Sequence, residues 1–356
     1  MTISSMSGKI QTVLGTIDPG ELGVTLGHEH LLVDLSRFPG DPADSIAPEI
    51  YDQRVTLENL GYISHYHVPN VDNSRLDDVQ TAIAEARMYV ERGGRSMIDA
   101  TCVGIGRDPE ALVHISKEAG LTVIMGASYY TDLAHPDDMD ERAEDDIVAE
   151  IVRDVTAGVR DTGVKSGIIG EVGCSWPLTD NERKVLRASG RAQRITGAPL
   201  LIHPGRDEKA PLEIVAVLRD VGADLRHTII SHVERTVFQK DLLRELAETG
   251  VYLNWDQFGR EISYYWPNTK INMPNDGTKI DDVAWAVAEG YGNQVMLAHD
   301  VCYKTRLLKY GGHGYFYILT HIVPRMRARG VPQEAIDRML VDNPAAALVF
   351  TEPQPE

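Results

Sequence analysis

Six residues of this 356-residue chain have the types and spacing for metal-assisted hydrolysis: His28, His30, Glu171, His203, His232 and Asp300. His28 and His30 stand in "LGHEH", a strand-like run. Side chains alternate along a strand, so the two imidazoles share one face and Glu29 takes the other. Two imidazoles on one face can grip one cation, yet an isolated His-x-His is as readily a pair of hydrogen-bonded core residues. Partners elsewhere must decide. They close apolar runs: Glu171 in "GIIGEVG", His203 32 residues later in "LLIHPG", His232 a further 29 on in "IISHVE", and Asp300 68 beyond that in "VMLAHD". A buried imidazole or carboxylate is costly unless paired or metal-bound, so such groups at matching strand ends need a common cause. Imidazole and carboxylate donors without thiolates suit a catalytic zinc, manganese, cobalt or iron(II) rather than a structural zinc. Two such ions lower the pKa of a shared water toward neutrality and polarise a carbonyl or phosphoryl oxygen. Asp300 is the residue to carry a proton from the attacking hydroxide to the leaving group, and no nucleophilic Ser or Cys is required.

The elements that must position these groups are short β-branched runs. "GVTLGHEHLLVDL", "RSMIDATCV", "LTVIMGASYY", "GIIGEVGC", "APLLIHPG", "RHTIISHVE", "GVYLNWDQFG" and "NQVMLAHDV" read as eight buried strands. Helical stretches such as "RDPEALVHISKEAG" and "TDNERKVLRASGRAQRITG" separate most of them, several opening on Asp or Thr and closing on Gly. Eight alternations suggest a (β/α)8 TIM barrel, with a doubly wound open sheet as the competing architecture. One βα unit spans roughly 30 residues, which matches the spacing of the polar strand ends. "KIQTVLGTIDPGELG" reads as a short N-terminal β-hairpin that caps the barrel bottom. No linker or composition shift interrupts the chain, so residues 1–356 are expected to be a single domain, with a hairpin segment at 1–22 and the barrel at 23–350. Two connections are too long for bare turns: about Ser36 to Asn73, carrying "SHYHVPNVDN", and about Arg260 to Gly277, carrying "SYYWPNTKINMPNDG". Long loops after strands build substrate pockets in such barrels.

A hydrophobic fraction of 43% suffices for a large core, and a formal charge of -18 disfavours nucleic acid or an anionic membrane as a partner. A small anionic substrate remains compatible, because local arginines can dominate a pocket. No signal-peptide-like start and no membrane-length apolar run are found, so a cytoplasmic protein is expected. The three cysteines, Cys102, Cys174 and Cys302, form no Cys-x-x-Cys pair and no disulfide framework. Each follows a strand, where a small buried hydrophobe is the usual role.

The set "GHEH", "GEVGCSWPLT", "IHPGRD", "SHVERT" and "AHDVCYKTRLLKYGGHGY", with the closing "VDNPAAALVF", resembles the phosphotriesterase family of the amidohydrolase superfamily, and within it the phosphotriesterase-related subgroup. The resemblance covers nearly the whole chain. It implies that His28 and His30, with Asp300, bind a more buried metal, that His203 and His232 bind a second, and that Glu171 bridges both. Zinc is the expected ion, with manganese, cobalt or iron as alternatives. The name-giving branch bridges with a carbamylated lysine; here Gly170 and Glu171 occupy that place and Lys165 lies too early. Efficient phosphotriester hydrolysis is thereby disfavoured. The subgroup points instead to a small carboxylic amide or ester, an N-acyl amine with an anionic tail such as N-acetyltaurine or an N-acetyl amino acid. Lactone or phosphotriester hydrolysis on the same site is the rival chemistry, and a non-catalytic small-molecule binder the rival of another class. A homodimer is within the family's range, but no stretch specifies an interface.

For the substrate, Arg206 in "HPGRD" and Arg235 in "HVER" each follow a candidate ligand by three residues and could clamp an anion bidentately. A loop salt bridge is the alternative for both, as it is for Lys304 and Arg306. Tyr129, Tyr130, Trp255, Phe258 and Tyr264 to Trp266 could wall an apolar pocket or pack in the core. His65 and His67 read as surface or lid residues, and His299 as a residue that orients a neighbour. "GIGRDPE" lacks both the P-loop Lys-Ser/Thr ending and the third Gly of a dinucleotide fingerprint.

Overall fold

The structure, a computed structural model, describes residues 6–38, 47–66 and 69–354. A hairpin of β1 (Ile10–Thr12) and β2 (Gly15–Ile17) precedes the first barrel strand, β3 (Thr25–Glu29). A small antiparallel pair, β4 (Val33–Asp34) with β5 (Arg75–Leu76), staples the first long connection. The remaining barrel strands are β6 (Ser96–Asp99), β7 (Thr122–Ala127), β8 (Ile168–Gly173), β9 (Leu200–His203), β10 (Thr228–Ile230), β11 (Tyr252–Trp255) and β12 (Val295–Leu297). They form one eight-stranded sheet with neighbours in sequence order and parallel. The sheet curls until its two edge strands meet: the Asp300 N–H donates to the His28 carbonyl at 3.2 Å. This is the eightfold barrel, and not the open doubly wound sheet.

The helices between strands start where their caps dictate. Asp108 accepts from the Ala111 N–H to open Pro109–Ala119, and Gly120 closes it in the left-handed region. Thr179 and Glu182 form a reciprocal capping box for Asp180–Thr196. Along the strands, inward residues Ile98, Ile124, Ile168, Leu201, Ile229 and Met296 fill the barrel, with Ile10 of the hairpin and Leu348 of the last helix joining them from below. The hairpin therefore seals the bottom, as its sequence suggested. Outward residues such as Met97, Val123, Leu200, Ile202 and Leu253 pack on the helices. No helix among the described residues is long and apolar enough to cross a membrane.

The first long connection carries the helix Leu60–Tyr66, and His65 lies exposed near that helix's end. His67 lies outside the described residues.

Candidate metal centre

Strict alternation does not deliver the six residues to the barrel interior; three backbone irregularities do. The β3–β6 register shifts between Leu26 and Glu29. A Cβ at Gly27 would meet Asn254 and Met296 inside the barrel, so Gly27 and His28 both face inward. Glu29 then turns outward and accepts from His299 N and Nδ1, both at 2.7 Å, and from Val301 N at 2.9 Å, which closes β3 onto the end of β12. In β8 a second shift falls between Ile169 and Val172. Gly170 takes φ +134° there, and a Cβ on it would stand 2.1 Å from the Leu201 carbonyl oxygen, so only glycine fits. The slip turns Glu171 to the interior, where unbroken pairing would have turned it out. Finally, His232 and Asp300 adopt φ of 56° and 53°, a left-handed conformation that non-glycine residues seldom take outside functional sites.

All six are brought together. His28 Nε2 lies 3.4 Å from Glu171 Oε2 and 3.8 Å from Asp300 Oδ1. His30 Nε2 lies 3.4 Å from both Glu171 Oε1 and Asp300 Oδ1. On the other side of Glu171, His203 Nδ1 is 2.8 Å from Oε2 and 2.9 Å from His232 Nε2. The outer ring nitrogens fix the tautomers. Thr101 Oγ1 spends its proton on the Leu32 carbonyl, so His30 Nδ1–H donates to Thr101 at 2.9 Å. Asp256 accepts from His232 Nδ1 at 2.7 Å and from His28 Nδ1 at 3.1 Å, with Ser231 Oγ also 2.9 Å from the latter. Each of these three rings thus turns an Nε2 lone pair inward. His203 differs: Arg235 donates to its Nε2 at 3.2 Å, so its Nδ1 carries the proton that Glu171 accepts.

The donor set fits divalent cations. Ligand atoms about an ion with bonds of about 2.1 Å in tetrahedral arrangement stand about 3.4 Å apart, and that is the separation in three of the four histidine–carboxylate pairs formed by His28 and His30 with Glu171 and Asp300. It is longer than an ordinary N–H···O hydrogen bond. His28 Nε2 is buried without a hydrogen-bond partner among the described residues. The His28, Glu171, His232 trio and the His28, His30, Asp300 trio each keep their ligand atoms within 4.8 Å. Around His203 and His232 the distances contract to hydrogen bonds, and a cation there would displace the Nδ1 proton of His203.

The electrostatics follow from the same crowding. Burial pulls the His30 pKa down, but hydrogen bonds to Asp300 and Glu171 outweigh it and raise the group to about 9. His28 also moves up, burial being overcome by Glu171 and Asp256. Burial and the neighbouring His232 lower His203 to about 3. Burial would raise Glu171, but His28 and His203 hold it well below the usual carboxylate range; Asp300 is lowered likewise through His30 and His232. The carboxylates stay anionic at neutral pH and their field favours cations.

A cavity opens above this cage, lined by Tyr130, Arg206, Arg235, Gln257, Arg260, Tyr265, Cys302 and Tyr303 among others. Arg206 and Arg235 are therefore at the site. Tyr129, Trp255 and Lys304 do not line it. Tyr129 turns its hydroxyl to Arg142 at 2.7 Å, Trp255 faces the helix layer, and Lys304 pairs with Asp72 at 2.7 Å. Arg306 donates to the Phe258 and His299 carbonyls, both at 2.9 Å. Phe258 is buried in the core and Tyr264 is exposed. His299 orients rather than ligates: its Nδ1–H donates to Glu29 and its Nε2 accepts from Ile318 N at 3.0 Å. In "GIGRDPE", Arg107 pairs with Asp154 at 2.7 Å and Asp108 caps a helix. Asp256, which holds His28 and His232 at once, is the residue that sequence reasoning passed over. Its signal was present, since it closes "VYLNWD" as the other polar residues close their strands.

Comparison with known proteins gives the family. The model of the phosphotriesterase family matches residues 8–348. N-acetyltaurine hydrolase of Bos taurus is 41% identical over 351 residues, covering 98% of this chain and all of that one. A phosphotriesterase-related protein of Nematostella vectensis is 42% identical over 347 residues, 97% of this chain and 99% of its own. Among solved structures, a resiniferatoxin-binding protein from Rhodobacter sphaeroides superposes with a TM-score of 0.93 at 34% identity, covering 98% of both chains. The family model spans nearly the whole chain and the relatives match it end to end, so the chain belongs to the phosphotriesterase family of hydrolases.

Proposed function

We propose that this chain is a binuclear metal-dependent amide hydrolase acting on a small N-acyl amine whose amine portion ends in an anion, such as N-acetyltaurine or an N-acetyl amino acid. The observation that carries the reading is that Arg206 and Arg235, neither with a carboxylate partner among the described residues, line the same cavity as Glu171 and Asp300. The relatives named N-acetyltaurine hydrolase support it.

His28, His30 and Asp300 would hold one cation, His203 and His232 the other, with Glu171 between them; zinc suits these donors best, and manganese, cobalt or iron(II) suit them too. Bound cations of this kind activate water near neutral pH and polarise a carbonyl oxygen. Asp300, anionic at neutral pH, accepts the proton of the attacking water and returns it to the leaving nitrogen. Gln257 Nε2, 3.4 Å from Asp300 Oδ2, helps to orient that carboxylate. Arg206 and Arg235 hold the anionic tail and so fix the amide against Asp300.

The test is a hydrolysis panel of N-acetyltaurine, N-acetyl amino acids, simple lactones and an aryl phosphotriester with zinc- or manganese-loaded protein, and Asp300→Asn as the blank. Amine release that vanishes in the blank is expected. Turnover of only lactones or the triester would overturn the amide assignment. Silence throughout, in protein shown to carry two metals, would favour a non-catalytic binder.

A further inference from the structure

Resting on that reading, we propose that Arg260, with Tyr265, completes a three-guanidinium cradle that selects a tetrahedral three-oxygen anion, a sulfonate or phosphonate, over a planar carboxylate as the substrate's tail.

Two buried cations outside this cavity meet carboxylates. Arg107 meets Asp154 at 2.7 Å and Lys279 meets Asp276 at 3.0 Å. Arg260 is handled differently. It is only 8% exposed, its guanidinium has no carboxylate or hydrogen-bond acceptor among the described residues, and its Nε is buried and unpartnered. Its guanidinium carbon stands 5.4 Å from the centre of the Tyr265 ring. Arg206 lies 5.8 Å from the same centre and donates to the Tyr265 hydroxyl at 2.7 Å. Arg235, 1% exposed, gives its protons to Thr236 Oγ1, His203 Nε2 and the Pro204 carbonyl, none of them anionic. All three arginines and Tyr265 line the cavity that Asp300 also lines.

Three guanidiniums gathered around one cavity repel one another and have lost much of their water, a cost that a bound anion offsets. The carboxylates nearby are committed to the histidines, Glu171 to His203 at 2.8 Å and Asp300 to His30 at 3.4 Å. The number of cations speaks to the shape of the anion. A carboxylate has two coplanar oxygens, which one or two guanidinium forks satisfy. A sulfonate or phosphonate has a third oxygen out of that plane, and Arg260 is the donor left over for it. The crowding is also felt by Tyr265: burial would raise its pKa, but Arg235, Arg206 and Arg260 together lower it. A phenolate at Tyr265 would be the internal rival for the counter-charge.

The test uses anions with no scissile bond, so that recognition is read apart from catalysis. Ethanesulfonate, ethylphosphonate and propionate are titrated calorimetrically into metal-loaded wild-type protein, Arg260→Met and Arg260→Lys. In wild type the tetrahedral anions are expected to bind about tenfold or more tighter than propionate. Arg260→Met should bring that ratio to about one while leaving propionate within about twofold, and Arg260→Lys should restore part of it. Which tetrahedral anion binds tighter identifies the tail. A ratio unchanged in Arg260→Met overturns the proposal, as does absence of anion binding in wild type together with a phenolate absorbance band that Tyr265→Phe removes. Ethanesulfonate binding that depends on Arg260 in a protein that cleaves no amide would sink the amidase reading and keep the cradle. N-acetyltaurine turnover with an Arg260-independent ratio would do the reverse. The guanidinium makes no hydrogen bond, so Arg260→Met should fold, and its circular dichroism and Tm verify this.

Discussion

Asp256→Asn separates a shared anchor from a local one. Asp256 is fully buried and accepts from His232 Nδ1 at 2.7 Å, His232 N at 3.0 Å and His28 Nδ1 at 3.1 Å. In the proposed two-cation site these rings would serve different ions, so one substitution would reach both. Losing a carboxylate behind a ligating imidazole costs about 10- to 100-fold in metal affinity, or about 1.4–2.7 kcal/mol. The two halves should not lose equally. His28 keeps Ser231 at 2.9 Å, whereas His232 depends on Asp256 for its ring and its backbone. We expect about 10-fold for the step governed by His28 and about 100-fold for the step governed by His232. Thr101→Val removes the bond behind His30, with the Thr101 bond to the Leu32 carbonyl, touches no other histidine of the cage and should weaken one step alone. Competition against a chelating indicator resolves two steps, and the two variants should give different patterns. Two unchanged steps in Asp256→Asn, or an equal loss of both in Thr101→Val, would refute the reasoning.

Protons compete with cations at the cage. His30 titrates at about 9 in the metal-free chain and His28 is raised too, so at pH 7.5 metal binding must expel protons, and apparent affinity rises with pH through about 9. Calorimetry in buffers of different ionisation heat should show this release, and a buffer-independent heat would contradict it. By the same linkage, the stabilisation of the metal-free chain by His30 is complete below its unfolded pKa of about 6.5 and lost as pH rises through about 9; a Tm that does not fall over that window in the metal-free protein would count against it. Gly170→Ala combines a positive φ with a 2.1 Å approach to Leu201, whereas Gly290→Ala has φ +93° and open space, so it carries the backbone strain alone. Urea denaturation should show a loss of about 1 kcal/mol for Gly290→Ala and about 3 kcal/mol or more for Gly170→Ala, and equal losses would remove the argument that close packing reserves the position for glycine. Lys304→Ala should leave KM unchanged and cost at most about 1 kcal/mol of stability, its pair with Asp72 being partly exposed. Arg235→Met should raise KM about tenfold or more. A KM change confined to Lys304→Ala would reverse the assignment of the two cations.

The barrel was legible because its signals are local: apolar runs of strand length, capping residues such as Asp108 and Thr179, and polar residues at the spacing of one βα unit. The facing of individual residues was less so. Alternation predicts that His28 and His30 share a face, and they do, but with Gly27 and His28 both turned inward by a register shift. Glu171 points inward only because Gly170 absorbs another. Such irregularities depend on which backbone lies alongside, a non-local fact. Asp256 escaped for a related reason: its role is to hold rings 24 and 228 residues away in the chain. The arginines carry the point furthest. Arg107 and Arg260 both follow strands, and nothing in "GIGRD" or "QFGRE" tells their fates apart. Folding gives one of them Asp154 and leaves the other on a cavity whose carboxylates face the histidines, without an ion pair of its own among the described residues. A buried charge must be answered by something, so where the chain supplies no answer, the unpaired residue describes the ligand.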